Sequence, residues 1–256
     1  MDLLNAIILG VVEGLTEFLP ISSTAHLILI GKLLKIPQSD FVSFFDIVIQ
    51  SGAILAVIFL YFNYILKNKK LWLKIIVSFL PTAVVGLILE KIIKKYFFNS
   101  FYLIIGAMFF IGLLFIVFEV FLKRKKLDKN ILEMSYLQAF FIGLGQSLAV
   151  VPGVSRAGAV ILTMMILGFR RDESAIYSFL LAVPTILAAS GLEIIKSDWK
   201  IIFANNNLSL LIIGFITSFI VALIVVQWFI DFLKKKSLIF FGIYRIVVAF
   251  LFLWYN

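Results

Sequence analysis

Residues Gly10 to His26 read GVVEGLTEFLPISSTAH, a polar stretch inside an apolar chain. The stretch holds Glu13, Glu17, Pro20, three consecutive hydroxyl residues and, at its end, the only histidine of the protein. Ionisable groups at membrane depth cost several kcal/mol each, so they are functional candidates by default. This stretch therefore predicts both a helix that breaks within the membrane and a site of chemistry.

A second polar stretch lies in the other half of the chain. Residues Gly143 to Gly158 read GLGQSLAVVPGVSRAG and contain one charge, Arg156. Each stretch interrupts an apolar segment at a proline, in the tetrapeptides PISS at 20–23 and PGVS at 152–155. Backbone groups freed by such a break are tolerated at membrane depth only where protein or water surrounds them. We therefore predict two re-entrant hairpins, each made of two half-helices that enter and leave on one side.

The composition excludes a soluble globular domain, because 63% of the residues are hydrophobic and 14% are charged. Apolar runs such as Phe101–Leu122 and Leu208–Phe229 reach the roughly 20 residues that cross a bilayer as a helix. The alternating pattern of a membrane β-barrel is lacking. We predict an all-α polytopic membrane protein whose first residues, MDLLNAIILG, belong to the mature chain and not to a signal peptide. The chain has no cysteine, which excludes thiol nucleophiles, thiolate metal sites and disulfides.

The predicted organisation is a single membrane domain, residues 1–256, with two broken segments and six complete crossings. The broken segments are Leu3–Leu34 and Ser135–Gly168. The complete crossings are Phe41–Phe62, Leu71–Leu89, Phe101–Leu122, Ser174–Ile195, Leu208–Phe229 and Leu238–Trp254. Each half of the chain thus contributes one re-entrant hairpin and three transmembrane helices.

The two halves resemble each other at an offset of 133 residues. The offset aligns Gly10 with Gly143, Glu13 with Gln146, Leu15 with Leu148 and Ser22 with Ser155. An odd number of crossings in each copy turns the second copy upside down relative to the first. We therefore predict an inverted-topology repeat, with one copy over about 1–130 and the other over about 131–256.

Clusters of basic residues between the crossings predict the orientation. The net charge of +9 lies in these short clusters, which are typical of contact with anionic lipid and not with nucleic acid. With the amino terminus on side A, seven Lys and Arg residues flank the crossings on side A and fourteen flank them on side B. This excess puts side B in the cytoplasm and both termini outside.

The tips of two inverted hairpins meet near the bilayer midplane, where the substrate sites of such repeats lie. Glu13 and Glu17 share a helix face, and two carboxylates there suit either a divalent cation or a division into acid and base. Ser22, Ser23 and Thr24 lie where the second half-helix begins, so its free N–H groups favour an anion.

The second hairpin adds a positively charged side chain to this predicted anion site. Arg156 follows Gly153 and Ser155 at the equivalent position, and its planar fork suits bidentate binding of a phosphate. His26 lies one turn after Ser23 and is suited to taking up or delivering a proton. Together these residues predict a phosphate site with acid–base groups.

Simpler interpretations stay open for each residue taken alone. A Ser or Thr in a membrane helix is often satisfied by a backbone carbonyl, and His26 fits an interhelical hydrogen bond. Glu13 and Glu17 fit a structural pair, with Arg156 as their counter-ion. The joint occurrence of all these groups at two paired helix breaks favours the functional interpretation.

Five polar residues outside the two stretches also need an interpretation. Glu90, Glu119 and Arg245 lie closer to segment ends and are interpreted as interfacial. Asp46 and Gln50 face one way on the first complete crossing and are interpreted as support for the site.

The two stretches resemble the signatures of a known family. EGLTEFLPISSTAH, Glu13 to His26, is similar to the first signature of the undecaprenyl pyrophosphate phosphatases of the bacitracin-resistance type, and PGVSRAG, Pro152 to Gly158, is similar to the second. FDIVIQSGAILAV (Phe45–Val57) and SFLLAVPTILAAS (Ser178–Ser190) agree as well. The resemblance therefore extends over essentially the whole chain.

The resemblance implies an enzyme of the bacterial cytoplasmic membrane that removes the terminal phosphate from undecaprenyl pyrophosphate, with roles in cell-wall synthesis and bacitracin resistance. It also implies a divalent cation, Mg²⁺ or Ca²⁺, and a site that opens towards the outer leaflet. By the same resemblance Glu13 and Glu17 match the paired glutamates, Ser23 the nucleophilic hydroxyl, His26 the acid–base group and Arg156 the phosphate clamp.

Three positions depart from the family pattern. Ala25 replaces a glycine, and Ala157 and Val160 replace a serine and a threonine. The missing hydroxyls predict lower activity or an altered preference among lipid pyrophosphates. Loss of function is not predicted, because no residue with an assigned chemical role is lost.

Several questions stay open at the level of the sequence. Phosphate is transferred either to Ser23 or directly to water, and the proton is taken by either His26 or Glu17. The residues do not decide whether two copies pair as a homodimer. A secondary transporter or a lipid-phosphate flippase is the alternative function, because inverted repeats with broken helices also serve transport. Ser23 and His26 favour the enzyme, because transport requires neither a nucleophile nor a base.

Overall fold

Ten α-helices form within the residues that the computed structural model describes, which are 1–97, 100–122, 126–197, 204 and 207–255. Of residues 94, 95 and 255 only the backbone is described. The helices are α1 (Leu3–Thr16), α2 (Ser23–Leu33), α3 (Asp40–Lys67), α4 (Lys69–Ile92), α5 (Phe101–Leu122), α6 (Tyr136–Ser147), α7 (Arg156–Ile166), α8 (Arg171–Lys196), α9 (Asn207–Lys235) and α10 (Ile239–Tyr255). No strand occurs in these ranges, and the all-α prediction is confirmed.

Five of these helices, α3, α4, α5, α8 and α9, are long and apolar enough to cross a membrane. Each coincides with a predicted crossing, which confirms a polytopic membrane protein. The sixth predicted crossing forms α10, whose 17 residues are at the lower limit for a spanning helix. Among the cations counted for the orientation, Lys123, Arg124, Lys125 and Lys200 lie outside the described residues.

The two broken segments form hairpins of short helices. Hairpin 1 consists of α1 and α2, with 14 and 11 residues, and hairpin 2 consists of α6 and α7, with 12 and 11 residues. At 1.5 Å per residue none of these helices spans a hydrocarbon core of about 30 Å. The two helices of each hairpin pack against each other. The breaks fall at residues 17–22 and 148–155, which contain the predicted tetrapeptides apart from Ser23.

Each hairpin packs against a crossing of the other half of the chain. Helix α1 lies against α9, and α6 lies against α4. The first contact requires small residues, because a Cβ atom at Gly10 would lie 2.7 Å from the carbonyl oxygen of Gly214. At the second, a Cβ atom at Gly143 would overlap the backbone of Ser78. This reciprocal packing is compatible with the predicted inverted repeat, which stays a prediction.

Phe18 anchors the tip of hairpin 1 in the largest apolar core. Its ring is fully buried and meets the ring of Phe179 edge to face, with 5.1 Å between the centroids. Phe115 and Phe229 belong to the same core. Because α5, α8 and α9 supply these neighbours, the tip is held from three sides within the bundle.

Candidate active site

The break in hairpin 1 leaves two glutamates on one helical face. Glu17 directly follows α1 and keeps helical geometry, and its N–H donates to the carbonyl oxygen of Glu13 at 2.9 Å. The chain then turns and enters α2 through Ser22, whose φ of 72° is rare for a residue with a side chain. The Ser22 side chain makes no capping hydrogen bond, so the first N–H groups of α2 are left for another acceptor.

Three side chains from the two hairpins meet at the tips. The Ser23 hydroxyl donates to Glu17 Oε2 at 2.6 Å, and Arg156 donates from its NH2 nitrogen to Glu17 Oε1 at 3.2 Å. The NH1 nitrogen of Arg156 donates to the carbonyl oxygen of Ser178 on α8 at 2.8 Å. Glu17 therefore joins the predicted nucleophile to the predicted clamp, and Ser178 fixes the plane of the guanidinium.

Glu13 lies behind Glu17 and is completely buried. Neither of its carboxylate oxygens has a hydrogen-bond partner, and the same holds for Oδ1 of Asp46 on α3. Glu13 interacts electrostatically with Glu17, Asp46 and Arg156. A buried carboxylate without a partner is costly. The Glu13 oxygens are therefore available either to the neighbouring Glu17 carboxyl or to a bound cation.

The carboxylates suit a hard cation. Oxygen donors from Asp and Glu are the ligands that Mg²⁺ and Ca²⁺ prefer, and the two free oxygens of Glu13 are of this kind. Within the described ranges no group of three His, Cys, Asp or Glu side chains has the arrangement of a metal site. A cation bound at Glu13 and Glu17 would thus keep water or substrate oxygens among its ligands, as Mg²⁺ usually does.

Both ring nitrogens of His26 have partners. Nδ1 lies 2.8 Å from the carbonyl oxygen of Ser22, and Nε2 lies 2.9 Å from the hydroxyl of Tyr244 on α10. The rings of His26 and Tyr244 are nearly parallel, with 5.7 Å between the centroids. His26 is thus close to the tip of hairpin 1, but neither nitrogen bonds to Ser23, whose hydroxyl donates to Glu17.

The break in hairpin 2 also enters its second helix through a serine with positive φ, but the side-chain contacts differ. Ser155 has a φ of 76°, and its hydroxyl oxygen accepts from the N–H of Gly158 at 3.2 Å, which caps α7. Gly153 has a φ of 97°, and a Cβ atom there would lie 2.9 Å from Cβ of Ala107 on α5. Gly153 thus packs against α5, and its predicted contact with phosphate gains no support from this position.

Arg245 was interpreted from the sequence as interfacial, and this interpretation is wrong. Its side chain is fully buried, and it donates to the carbonyl oxygens of Pro20 at the tip of hairpin 1 and Gly153 at the tip of hairpin 2. It also donates to Met108 on α5 at 3.3 Å. Arg245 therefore holds the two tips together from α10.

Glu119 lies one turn before the end of α5 and contacts the ends of two other helices. It is 1% exposed and forms a bidentate pair with Arg171, at 3.1 and 2.6 Å, and it accepts from the N–H of Leu238 at 2.8 Å. Glu119 thus fixes the start of α10. Glu90 bonds Lys196 at 2.6 Å and is partly exposed. The interfacial interpretation stays a prediction for both glutamates.

The remaining predicted residues lie in the apolar core or at the first turn of α2. Thr24 is half-buried at that turn. Ala25, Ala157 and Val160, which depart from the family pattern, are fully buried. Val160 packs among Met164 and Leu181 in a core cluster. The replacement of the family's threonine by Val160 therefore concerns packing in the core.

Tyr244 and Arg245 were missed by the sequence analysis as members of this site. Their signal was a tyrosine and an arginine side by side within an apolar helix, which is costly unless both have polar partners. The sequence does not reveal the partners of Arg245, because Pro20 and Gly153 contribute backbone carbonyls, and every residue type carries one.

Comparison with known proteins adds independent information. A sequence model of the family described as bacitracin resistance protein BacA matches residues 6–251. The chain is similar to the undecaprenyl-diphosphatase of Aquifex aeolicus (strain VF5), with 44% identity over 245 residues that cover 96% of this chain and 95% of that protein. It is also similar to the undecaprenyl-diphosphatase of Sulfurihydrogenibium sp. (strain YO3AOP1), with 47% identity over 260 residues and the full length of both chains.

Proposed function

The chain belongs to the bacitracin resistance protein BacA family, and we propose that it hydrolyses undecaprenyl pyrophosphate to undecaprenyl phosphate and inorganic phosphate. The names of its full-length relatives support this activity. The observation that carries the proposal is the contact of the two hairpin tips, where Ser23 donates to Glu17 and Arg156 pairs with the same carboxylate. A nucleophile, a base and a phosphate-binding cation thus meet at one point.

In the proposed reaction Glu17 acts as the base for Ser23. The Ser23 hydroxyl already donates to Glu17 Oε2 at 2.6 Å, so its proton moves to that oxygen as Oγ attacks the terminal phosphorus. The bond from this phosphorus to the bridging oxygen breaks, and undecaprenyl phosphate leaves. Water then attacks the same phosphorus, the bond to Oγ breaks, Glu17 returns its proton to Oγ, and inorganic phosphate leaves with the protons of the water. This geometry favours Glu17 over His26 as the base, a choice that the sequence leaves open.

Arg156 is proposed to bind the equatorial oxygens of the terminal phosphate. Its Nε atom is buried without a hydrogen-bond partner, while its two terminal nitrogens bond Glu17 and the Ser178 carbonyl. The free N–H groups at the start of α2 add positive partial charge on the other side. Fixed donors of this kind supply most of the catalysis in a loose phosphoryl-transfer transition state.

Glu13 and Glu17 are proposed to hold the divalent cation, Mg²⁺ or Ca²⁺. When bound, the cation would neutralise charge on the pyrophosphate oxygens. Glu13 would keep both oxygens directed at it, and Asp46 would add negative charge from α3. Removal of the cation with a chelator is therefore expected to abolish phosphate release.

The substrate enters from the membrane in this proposal. The chain crosses the membrane several times, and the distribution of Lys and Arg favours both termini outside. The family resemblance implies a site that opens towards the outer leaflet of the cytoplasmic membrane. The undecaprenyl chain would stay in lipid beside the bundle while the pyrophosphate reaches the tips. The product would then return to carry cell-wall precursors, and its supply would underlie bacitracin resistance.

Phosphate release by the purified protein tests the proposal. Undecaprenyl pyrophosphate in detergent with Mg²⁺ or Ca²⁺ is expected to yield inorganic phosphate, and Ser23→Ala is expected to abolish the release. Ser51→Ala is the matched control, because it removes a hydroxyl that donates to Ser190 at 2.8 Å between α3 and α8. A folded wild-type sample that releases no phosphate would contradict the proposal and would favour transport, measured as flux in liposomes.

A further inference from the structure

The hydrogen bonds of His26 determine which of its nitrogens carries the proton. A carbonyl oxygen only accepts, so the 2.8 Å contact between Nδ1 and the Ser22 carbonyl requires a hydrogen on Nδ1. Neutral His26 then has an unprotonated Nε2, which accepts from the Tyr244 hydroxyl at 2.9 Å. His26 is therefore held in one tautomer by two partners.

Tyr244 is itself placed by the residue that follows it. Arg245 is fully buried and bonds the carbonyls of Pro20 and Gly153, so the position of α10 against both hairpin tips is fixed at this point. The nearly parallel rings of Tyr244 and His26 leave the imidazole little freedom to rotate. Arg245 thus contacts the site through the backbone carbonyls of the two tips, and Tyr244 contacts it through His26.

We propose that Tyr244 is a positioning residue of the active site, which orients the His26 ring and binds its unprotonated Nε2, while the Ser22 carbonyl sets the Nδ1–H tautomer. This inference rests on the proposed phosphatase function, in which Ser23 passes its proton to Glu17 and His26 is the acid–base group that the family resemblance implies. Nε2 is the ring nitrogen that remains able to gain a proton, and the Tyr244 hydroxyl is the group next to it. Without the Tyr244 hydroxyl, the imidazole keeps only its bond to the Ser22 carbonyl, and Nε2 has no hydrogen-bond partner from α10.

The single histidine of the sequence makes this inference directly measurable. Protein labelled with ¹⁵N-histidine, and freed of any histidine tag, contains one imidazole. Its spectrum is expected to show a protonated Nδ1 and an unprotonated, hydrogen-bonded Nε2. In Tyr244→Phe the Nε2 signal is expected to move to the position of a nitrogen without a hydrogen bond. An unchanged Nε2 signal in this variant would overturn the inference.

Kinetics provides the second readout. Tyr244→Phe is expected to lower kcat about tenfold and to leave KM within about twofold, because one hydrogen bond that orients an acid–base group is lost. Tyr61→Phe is the control, because it removes the hydroxyl of another half-buried tyrosine on a membrane helix. An equal fall in both variants would overturn the inference. A wild-type protein without phosphatase activity would instead contradict the proposed function, and the ¹⁵N spectra would still test the contact.

Discussion

The two hairpins break at aligned serines and differ in the contacts that their side chains make. Each breaks at a serine with positive φ, 72° at Ser22 and 76° at Ser155, and these two residues are aligned by the offset of 133. In hairpin 2 the Ser155 side chain caps the helix that follows, whereas in hairpin 1 the Ser22 side chain makes no such bond. The same break thus closes a helix end in one hairpin and leaves it open in the other.

The aligned positions further along the hairpins differ in the same way. Glu13 corresponds to Gln146, and Nε2 of Gln146 donates to Thr82 at 2.8 Å and to Thr185 at 3.3 Å. Oε1 of Gln146 and both oxygens of Glu13 are buried without a hydrogen-bond partner. The aligned positions thus differ in their donors: the Gln146 amide donates to two threonines of the bundle, whereas the Glu13 carboxylate has nothing to donate. The two hairpins therefore contribute different side-chain chemistry at aligned positions.

The largest expected effect is at Glu17, the residue through which the two hairpins meet. Glu17→Gln keeps the size of the side chain and removes the base, so phosphate release is expected to fall about 10²- to 10⁴-fold. Glu90→Gln is the control, because Glu90 forms a partly exposed pair with Lys196. Initial rates with undecaprenyl pyrophosphate measure both variants. A Glu17→Gln variant as active as the control would remove the base from the mechanism.

Arg156→Lys tests whether hairpin 2 contributes geometry or only charge. Lysine keeps the positive charge but lacks the fork that contacts Glu17 and the Ser178 carbonyl together. We expect kcat/KM to fall about 100-fold, because a point charge does not reproduce planar, bidentate binding. Retention of wild-type kcat/KM would reduce the role of Arg156 to that of a counter-ion.

Exchange of the aligned residues tests the division between the copies. Glu13→Gln is expected to raise the cation concentration needed for half-maximal activity at least tenfold, because a carboxylate ligand is lost. Gln146→Glu is expected to lower stability by about 1–3 kcal/mol, because a carboxylate cannot donate to Thr82 and Thr185. A titration of activity with Mg²⁺ and a thermal-unfolding curve measure the two effects. An equal change in cation dependence in both variants would contradict the division.

The smallest expected effect is on the unfolding temperature, and it distinguishes Ser22 from Ser155. Glycine relieves a positive φ, which costs a residue with a side chain about 1–3 kcal/mol. Ser22→Gly is therefore expected to raise the unfolding temperature, and Ser155→Gly is expected to raise it less because the cap on Gly158 is lost. Thermal unfolding in detergent measures both. An equal or larger rise for Ser155→Gly would mean that its cap adds no stability.

The broken helices were predictable from the sequence because their signals are local. Pro20 and Pro152, together with polar neighbours in an apolar segment, indicate a break wherever the segment folds. The contact of Glu17 with Arg156 followed from the offset between the copies, a second feature that is visible in the sequence. The fold class and the residues at the tips were thus within reach of sequence reasoning.

The role of α10 was not predictable in this way. Arg245 binds backbone carbonyls, which leave no trace in the residue types of Pro20 or Gly153. Its distance from the segment end suggested an interfacial position, whereas its depth in the bundle is set by tertiary packing. The same holds for Tyr244, because its partner is identified only when α10 lies against α2. The contacts that α10 makes with distant parts of the chain, to backbone carbonyls from Arg245 and to the His26 side chain from Tyr244, are thus the part of the site that sequence patterns miss.

The clamp at Arg245 also bears on how the protein is made. Its guanidinium and the carbonyl of Pro20 are separated by 225 residues, and α10 emerges from the ribosome after every other helix described. During synthesis the two tips can enter the membrane early, but the group that joins them arrives last. The bonds from Arg245 to the two tips therefore form only after α10 has been made, and before that point the tips must rely on their other contacts, such as that of Glu17 with Arg156.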